Sequence, residues 1–193
     1  MRKIMAFMHV SLDGFVAGPQ GEMDWIRVDS DIFDHVAESI QFVDLAIYGR
    51  VTYQMMEAYW PTAADQPGAS KHDKEHSAWY AKVDKIVLSK SMAGQHIPRV
   101  NIISDNLGPQ ISAVKKQPGG KIVIFGSPSA VHALMKEDLI DEVWLFVNPV
   151  LLGKGIPMFK DIDTRKTLTL NFDKRFPSGV IELKYQIGGA GNS

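Results

Sequence analysis

The sequence of 193 residues contains no cysteine, which excludes disulfide bonds, cysteine-ligated metals and thiol nucleophiles. It also lacks long apolar runs. The stretch Ile4–Val10 has seven residues and includes His9, far short of the ~20 apolar residues that span a bilayer. It leads into Ser11–Gly14 and not into a small-residue cleavage site. We therefore expect a buried first strand in a soluble, cytoplasmic protein that does not enter the membrane.

An excess of charge of either sign is also missing. Lys and Arg number 21 against 22 Asp and Glu, for a formal net charge of −1. This balance gives no basic surface for nucleic acid or for anionic lipid. Among six histidines only His72 and His76 have helical spacing, and no third metal ligand is indicated nearby. We therefore expect a small-molecule substrate as partner, with no metal.

Short apolar runs bounded by turn residues recur along the chain and predict eight strands. The runs are Ile4–Val10, Leu45–Tyr48, Lys85–Leu88, Val100–Ile103, Lys121–Phe125, Glu142–Val147, Thr167–Phe172 and Val180–Gln186. Several are apolar throughout, which is typical of strands that are covered on both faces.

Helical apolar spacing lies between these runs as far as about residue 139, which favours parallel pairing through crossover helices. The segment Asp173–Gly179 predicts an antiparallel β-hairpin at the end. Pro61–Ser77 is predicted as a loop leading into a helix near His76–Lys82. The predicted fold is thus α/β, a mixed and mostly parallel eight-stranded sheet flanked by helices. We expect one domain over residues 1–187 and a flexible tail over 188–193.

Three strand ends carry residues that suit phosphate groups. In the first, Gly49 precedes Arg50 and Thr52 at the start of a helix, where free N–H groups bind anions. The positive charge of Arg50 lies near the positive end of the helix dipole, which is unfavourable unless a phosphate binds there. A solvated surface arginine is the alternative.

The second strand end carries Ser89 and Lys90, whose hydroxyl and ammonium groups suit a ribose 2′-phosphate. A hydroxyl-rich turn is the alternative. The third carries Gly126 and Ser127 before Pro128, where the glycine admits a ligand to the backbone and the helix start favours a pyrophosphate. A helix start with Ser127 as its N-cap is the simpler interpretation. Ligands of open α/β sheets bind at such strand ends.

The segment after the first strand supplies candidate catalytic residues. Asp13 is predicted either as a carboxylate at a pocket mouth or as a plain turn residue. Asp31 is a second candidate, although an acid in the first turn of a helix commonly serves the dipole. Trp25 is predicted as a pocket wall or as a core residue.

Several motifs taken in order resemble the RibD C-terminal domain family, whose members have a dihydrofolate-reductase-like fold. The motifs are Ser-Leu-Asp-Gly, Gly-Arg-x-Thr-Tyr, Leu-Ser-Lys, Phe-Gly-Ser, Leu-Ile-Asp-Glu-Val and Asn-Pro-Val-Leu-Leu-Gly-Lys-Gly. The likeness covers residues 2–187, and the chain resembles the stand-alone bacterial members. Dihydrofolate reductases carry Gly-Gly where this chain has Phe125-Gly126, so the approach to the pyrophosphate differs.

This resemblance implies NADPH as cofactor and a homodimer. It implies that Gly49, Arg50 and Thr52 contact cofactor phosphates and ribose, that Ser89 and Lys90 lie by the 2′-phosphate, and that Gly126 and Ser127 lie by the pyrophosphate. It also implies that the loop 149–155, with Leu152 and Gly153, borders the substrate pocket.

The expected activity is therefore NADPH-dependent reduction of a small pyrimidine- or pterin-like heterocycle, similar to the uracil reductase of riboflavin biosynthesis. Asp13 would orient the substrate or help to supply its proton, with Asp31 as second choice. The alternatives are a non-catalytic nucleotide-binding domain and a phosphosugar enzyme that uses the same anion sites.

Overall fold

The computed structural model describes residues 1–188. These residues form five helices: α1 Ser30–Ile40, α2 Arg50–Ala63, α3 Lys71–Lys82, α4 Leu107–Lys116 and α5 Pro128–Lys136. They also form ten strands: β1 Ile4–Ser11, β2 Phe15–Ala17, β3 Val43–Gly49, β4 Asp84–Leu88, β5 Val100–Ile103, β6 Lys121–Phe125, β7 Glu142–Asn148, β8 Ile156–Pro157, β9 Leu168–Arg175 and β10 Ile181–Ile187. Among residues 1–188, no helix is both long and apolar enough to cross a membrane.

The eight predicted strands are confirmed, and they form one sheet in the order β5-β4-β3-β6-β1-β7-β10-β9. The first six strands in this order, from β5 at the edge to β7, pair in parallel with their neighbours. Strand β10 pairs antiparallel with both β7 and β9. The predicted mostly parallel sheet with a C-terminal hairpin is therefore confirmed. The carboxyl ends of the parallel strands lie along one edge.

Strand β1 lies inside the sheet because its side chains are apolar on both faces. Ala6 and Met8 pack into the core under α4 and α5. Met5 and Phe7 pack into the core under α1, α2 and α3. A strand that buries both faces lacks the polar–apolar alternation of a half-exposed strand. This is the physical reason for the continuous apolar runs in the sequence.

The predicted helix over residues 76–82 is confirmed as the end of α3, but the loop predicted over residues 61–77 is too long. Helix α2 continues through Pro61 to Ala63, and α3 already begins at Lys71. The Ser70 hydroxyl accepts a hydrogen bond from the Asp73 N–H, and the Asp73 carboxylate accepts one from the Ser70 N–H. This reciprocal cap is a helix-start signal that the polar composition of the segment masked.

Two short strands were not predicted. Strands β2 and β8 pair antiparallel in a separate two-stranded sheet beside the main one. They connect the segment after β1 to the segment after β7. With two and three residues, they are too short to give an alternating sequence pattern.

The predicted tail over 188–193 falls mostly on residues 189–193, which lie outside the described residues. Gly188 is described, and its N–H donates to the Thr167 carbonyl at 2.9 Å, which closes the β9–β10 hairpin. The single domain over residues 1–187 stays a prediction.

One buried lysine ties three elements together at the amino edge of the sheet. Lys115, near the end of α4, is 7% exposed. Its Nζ donates to Asp141 Oδ2 at 2.6 Å and to the Leu139 carbonyl at 3.0 Å. The same carboxylate oxygen accepts the Ile4 N–H of β1 at 2.8 Å. The ammonium group therefore holds α4 against the starts of β1 and β7.

We expect Lys115→Met to lower the free energy of unfolding by about 2 kcal/mol, because it leaves the Leu139 carbonyl without this donor and the Asp141 carboxylate with only the Ile4 N–H. Urea unfolding measures this change. Lys116→Met is the matched control, since Lys116 is the exposed neighbour on the same helix turn. Equal stability of the two variants would contradict the assigned role of Lys115.

Candidate functional site

Two helix N-termini meet where the neighbouring parallel strands β3 and β6 end. Helix α2 begins directly after Gly49, and α5 begins directly after Ser127. Neither helix has a side-chain hydrogen bond that caps its first turn. The free N–H groups of both first turns, together with the positive ends of two helix dipoles, make this edge suitable for an anion.

Ser127 is the N-cap residue of α5, with Pro128 in the first turn, as predicted. Its hydroxyl, however, makes no hydrogen bond to its own helix. Its Oγ accepts the Gly49 N–H at 2.8 Å, and the Ser127 side chain is fully buried. A Cβ at position 49 would lie 2.3 Å from Ser129 Oγ and 3.0 Å from Ser127 Oγ, so any larger residue would force these hydroxyls to shift. This clamp, Gly49 N–H to Ser127 Oγ, joins the end of β3 to the start of α5.

Gly126 lies beside this clamp, and the space above its Cα is open. Its φ of +62° is in the left-handed region, and a Cβ there would meet no atom within 4 Å. Glycine is therefore favoured by backbone conformation, and the space over it is open to a ligand. The Thr52 hydroxyl donates to the Gly126 carbonyl at 3.3 Å and so links the first turn of α2 to the end of β6.

A cleft of about 680 Å³ opens at this edge of the sheet. Its lining includes Thr52 and Gly126 of the predicted site and Gly155, the last residue of the predicted pocket loop. Ile156 and Pro157 of β8 also line it, whereas the predicted pocket residues Leu152 and Gly153 lie outside the lining. Most of its wall is apolar, and Met23, Met55 and Met56 contribute to it. A volume of this size matches a small-molecule site with a few polar groups.

Aromatic rings form one wall of this cleft. Phe7 stacks on Phe125 with ring centroids 4.4 Å apart, and His9 stacks on Phe146 at 5.0 Å. Burial lowers the pKa of His9 to about 4, so its imidazole is neutral at pH 7. A flat ligand would therefore meet a wall of planar, uncharged groups.

Asp13 ties the segment after β1 to the loop after β7. Its carboxylate accepts the N–H groups of Leu152, at 3.1 and 3.2 Å, and of Gly153, at 2.7 Å. The Ser11 hydroxyl donates to the same carboxylate at 2.7 Å. The hydrogen bond from Ser11, followed by that from Gly153, lowers the pKa of Asp13 below its ordinary value. Asp13 is therefore ionised at neutral pH and holds the loop through backbone contacts.

The remaining residues predicted after β1 lie around the cleft and not in its lining. Trp25 donates its Nε1–H to the Glu22 carbonyl at 3.1 Å and is half-buried, while its neighbours Met23 and Ile26 line the cleft. Asp31 is exposed in the first turn of α1, whose N-cap is Asp29.

The predicted charged groups lie at the same edge as the cleft. Arg50 is exposed at the first position of α2, and its Nη1 donates to Gln54 Oε1 at 3.0 Å. Ser89 follows the adjacent strand β4, where its Oγ lies 3.2 Å from Ser91 Oγ. Lys90 between them is exposed. Because β3, β4 and β6 run in parallel, all three predicted anion-binding segments share one edge of the sheet.

Sequence reasoning missed His9, His132 and Lys160, which line the cleft. His132 Nε2 lies 3.0 Å from the Pro157 carbonyl, so this nitrogen carries a proton and donates. The only available signal for His9 was a polar residue inside an apolar strand. Nothing in the sequence places Lys160 near β1, because the loop between β8 and β9 has no regular pattern. Within residues 1–188, no group of three metal-ligating side chains is assembled.

Comparison with known proteins identifies the family. The model of the RibD C-terminal domain matches residues 2–181. The uncharacterized protein YyaP of Bacillus subtilis is 31% identical over 189 residues, which cover 97% of this chain and 96% of YyaP. The chain therefore belongs to the RibD C-terminal domain family.

Solved structures agree on the fold. A putative riboflavin biosynthesis protein from Shewanella sp. PV-4 superposes with a TM-score of 0.70 at 22% identity, over 97% of this chain and 99% of that one. Dihydrofolate reductase from Enterococcus faecalis, solved with NADP(H), gives 0.63 at 15% identity, over 97% of each chain. The predicted dihydrofolate-reductase-like α/β fold is thus confirmed.

We expect Asp13→Asn to release the loop after β7, because an amide N–H₂ would face backbone N–H donors that a carboxylate now accepts. Amide hydrogen exchange at Leu152 and Gly153 should become faster, with Asp24→Asn as control for an exposed acid nearby. In the wild type the tether should persist above the ordinary carboxyl pKa and weaken as the pH falls through the lowered pKa. Unchanged protection in Asp13→Asn would contradict the tether.

Proposed function

We propose that this protein is an NADPH-dependent reductase of a small pyrimidine- or pterin-like heterocycle. The observation that carries the proposal is the pair of uncapped helix N-termini, α2 and α5, which meet beside the cleft. Two anion-binding helix ends at adjacent parallel strands suit the pyrophosphate of a dinucleotide.

The residues at this edge fit NADPH in three respects. Gly126 leaves open space over its backbone, where a pyrophosphate can approach the N–H groups. Gly49, Arg50 and Thr52 would contact phosphate and ribose from the start of α2. Ser89 and Lys90, beyond the neighbouring strand β4, supply two hydroxyls with Ser91 and one ammonium group for a 2′-phosphate. Ser127 would act on this site through its clamp to Gly49.

NADPH, when bound, supplies the hydride. The chain's own residues would orient the acceptor ring between the aromatic wall and the methionines, and the apolar lining would exclude water. Asp13 is ionised and occupied by the Leu152 and Gly153 N–H groups, so we propose that it positions the pocket loop. Trp25, adjacent to the cleft-lining Met23, would support the same rim. The proton would then come from water, and a role for Asp31 stays a prediction.

The names of similar proteins support the reductase class. The Shewanella protein is named a putative riboflavin biosynthesis protein, and the Enterococcus enzyme is a dihydrofolate reductase. Both names refer to chemistry on small nitrogen heterocycles. A ring of this kind is flat and fits the stacked wall of Phe7, Phe125 and His9.

We expect NADPH to raise the melting temperature of the protein, and to raise it more than NADH does. Gly126→Val should weaken the binding of NADPH by at least about tenfold, because the valine side chain would fill the space over the backbone. Gly94→Val is the matched control: Gly94 also has a positive φ, of +78°, and open surroundings, but lies outside the cleft lining. Equal NADPH binding by both variants would remove the pyrophosphate from this edge. No rise in melting temperature with NADPH would favour the phosphosugar alternative.

Turnover separates the reductase from a non-catalytic nucleotide-binding domain. The cleft lining described in residues 1–188 contains no carboxylate, and this observation favours the non-catalytic alternative. NADPH consumption at 340 nm, measured against pyrimidines, pterins and nitroaromatics, decides between the two. Binding of NADPH without consumption by any of them would support the non-catalytic domain.

We also propose that the protein forms a homodimer through the exposed apolar face of the β9–β10 hairpin. Leu168 and Leu170 are 41% and 48% exposed, and Ile181 is 39% exposed. The strand register places these side chains on one face, with Leu170 opposite Tyr185 and Leu168 opposite Ile187. Exposed apolar groups next to an unpaired edge strand are typical of an interface. A second copy of the chain offers the same face under two-fold symmetry.

We expect the wild type to elute as a dimer in size-exclusion chromatography with light scattering. Leu170→Lys should shift it to a monomer, because a charge would be buried in the interface. Thr169→Lys adds the same charge to the opposite face of the same strand and should leave the dimer intact. A monomeric wild type, or equal effects of the two variants, would contradict this interface.

A further inference from the structure

His9 is the polar group of β1 that lines the cleft, and its two ring nitrogens have different surroundings. Nδ1 is sealed from solvent and has no hydrogen-bond partner among residues 1–188. The ring itself is held by aromatic contacts, stacked on Phe146 and edge-on to Phe7 at 5.8 Å. Nε2 is therefore the nitrogen that can meet a ligand in the cleft.

The surroundings of Nδ1 fix the position of the imidazole proton. A buried N–H without an acceptor is rare in folded proteins, because it loses its full hydration with nothing in return. An unpaired nitrogen lone pair is the less costly arrangement. Burial also lowers the pKa of His9 to about 4, so the ring carries a single proton at pH 7. That proton lies on Nε2, and His9 presents an N–H donor to the cleft.

Two further polar side chains of the cleft donate, whereas the hydroxyls of Thr52 and Ser129 can donate or accept. Lys160 contributes an ammonium group, which only donates. The His132 Nε2–H donates a hydrogen bond to the Pro157 carbonyl. No carboxylate is present among the described residues of the lining. An amino group that faces the His9 N–H would thus oppose a donor, and no carboxylate of the described lining would accept from it.

We propose that His9 recognises a ring carbonyl oxygen of the substrate through an Nε2–H···O=C hydrogen bond. The inference rests on the proposed reductase function and narrows its substrate class to flat, uncharged, carbonyl-bearing heterocycles. A ring of the same shape with an amino group at this position binds more weakly, because its amino hydrogens would oppose the imidazole N–H. A ring without this carbonyl leaves the His9 N–H without an acceptor, and the cost of that unpaired polar group gives the selectivity.

Two bicyclic probes of the same shape test the inference. Pteridine-2,4-dione carries two carbonyl oxygens where pteridine-2,4-diamine carries two amino groups. We expect calorimetric titration at pH 7 to give about tenfold tighter binding of the dione to the wild type. His9→Phe keeps the stacked ring without the donor and should bring the two affinities within about twofold of each other. His9→Gln, which retains an N–H donor, should keep the preference for the dione.

His96→Phe is the matched control, because His96 is exposed in the loop before β5 and lies outside the cleft lining. It should keep the wild-type preference. Equal binding of both probes to the wild type, tighter binding of the diamine, or binding of neither would overturn the inference. So would an unchanged preference in His9→Phe.

Nitrogen-15 NMR of the wild-type imidazoles gives a measurement that needs no variant to fold. Long-range correlations at pH 7 should identify His9 as a neutral ring with its proton on Nε2. A proton on Nδ1, or on both nitrogens, would overturn the inference. The titrations are run with and without NADPH. Failure of NADPH to bind would count against the proposed reductase, whereas loss of discrimination between the probes counts against the role of His9.

Discussion

The arrangement of the candidate site depends on one buried hydrogen bond, from the Gly49 N–H to the Ser127 hydroxyl. This bond joins the turn that starts α2 to the residue that precedes α5. It therefore sets the distance between two helix ends whose N–H groups remain free. The Ser127 hydroxyl serves this long-range contact and not its own helix. Had it capped α5, one of the free first-turn donors would already be satisfied.

The sequence was sufficient for the architecture because burial on both faces leaves a direct trace in residue type. The runs Ile4–Val10 and Lys121–Phe125 are apolar apart from His9 and Lys121, and they lie side by side in the sheet. Sequence was insufficient where the structure depends on hydrogen bonds between side chain and backbone. The start of α3 at Lys71 depends on the reciprocal cap of Ser70 and Asp73, and a polar composition conceals such a cap.

The same distinction applies to the site. Thr52 and Gly126 were predicted because strand ends and helix starts have recognisable residues, and both line the cleft. His9 was missed as a cleft residue because no local sequence pattern shows that one nitrogen of its ring is buried while the ring borders a cleft. Asp13 was predicted as a catalytic candidate, but its contacts with the backbone of Leu152 and Gly153 could not be predicted, because these residues lie far along the chain. No local pattern reports a contact at that separation in sequence.

The methionines of the cleft have a further consequence for its shape. Met23 and Met55 are 42% and 49% exposed, so their thioethers are free to change rotamer as a ligand enters. Unbranched, polarizable side chains adapt to irregular outlines at low energetic cost. The aromatic residues of the lining are rigid by comparison, since Phe7 stacks on Phe125 and His9 stacks on Phe146. The cleft thus combines fixed planar side chains with flexible ones, and ligands of different outline can be accommodated by rotamer changes of the methionines.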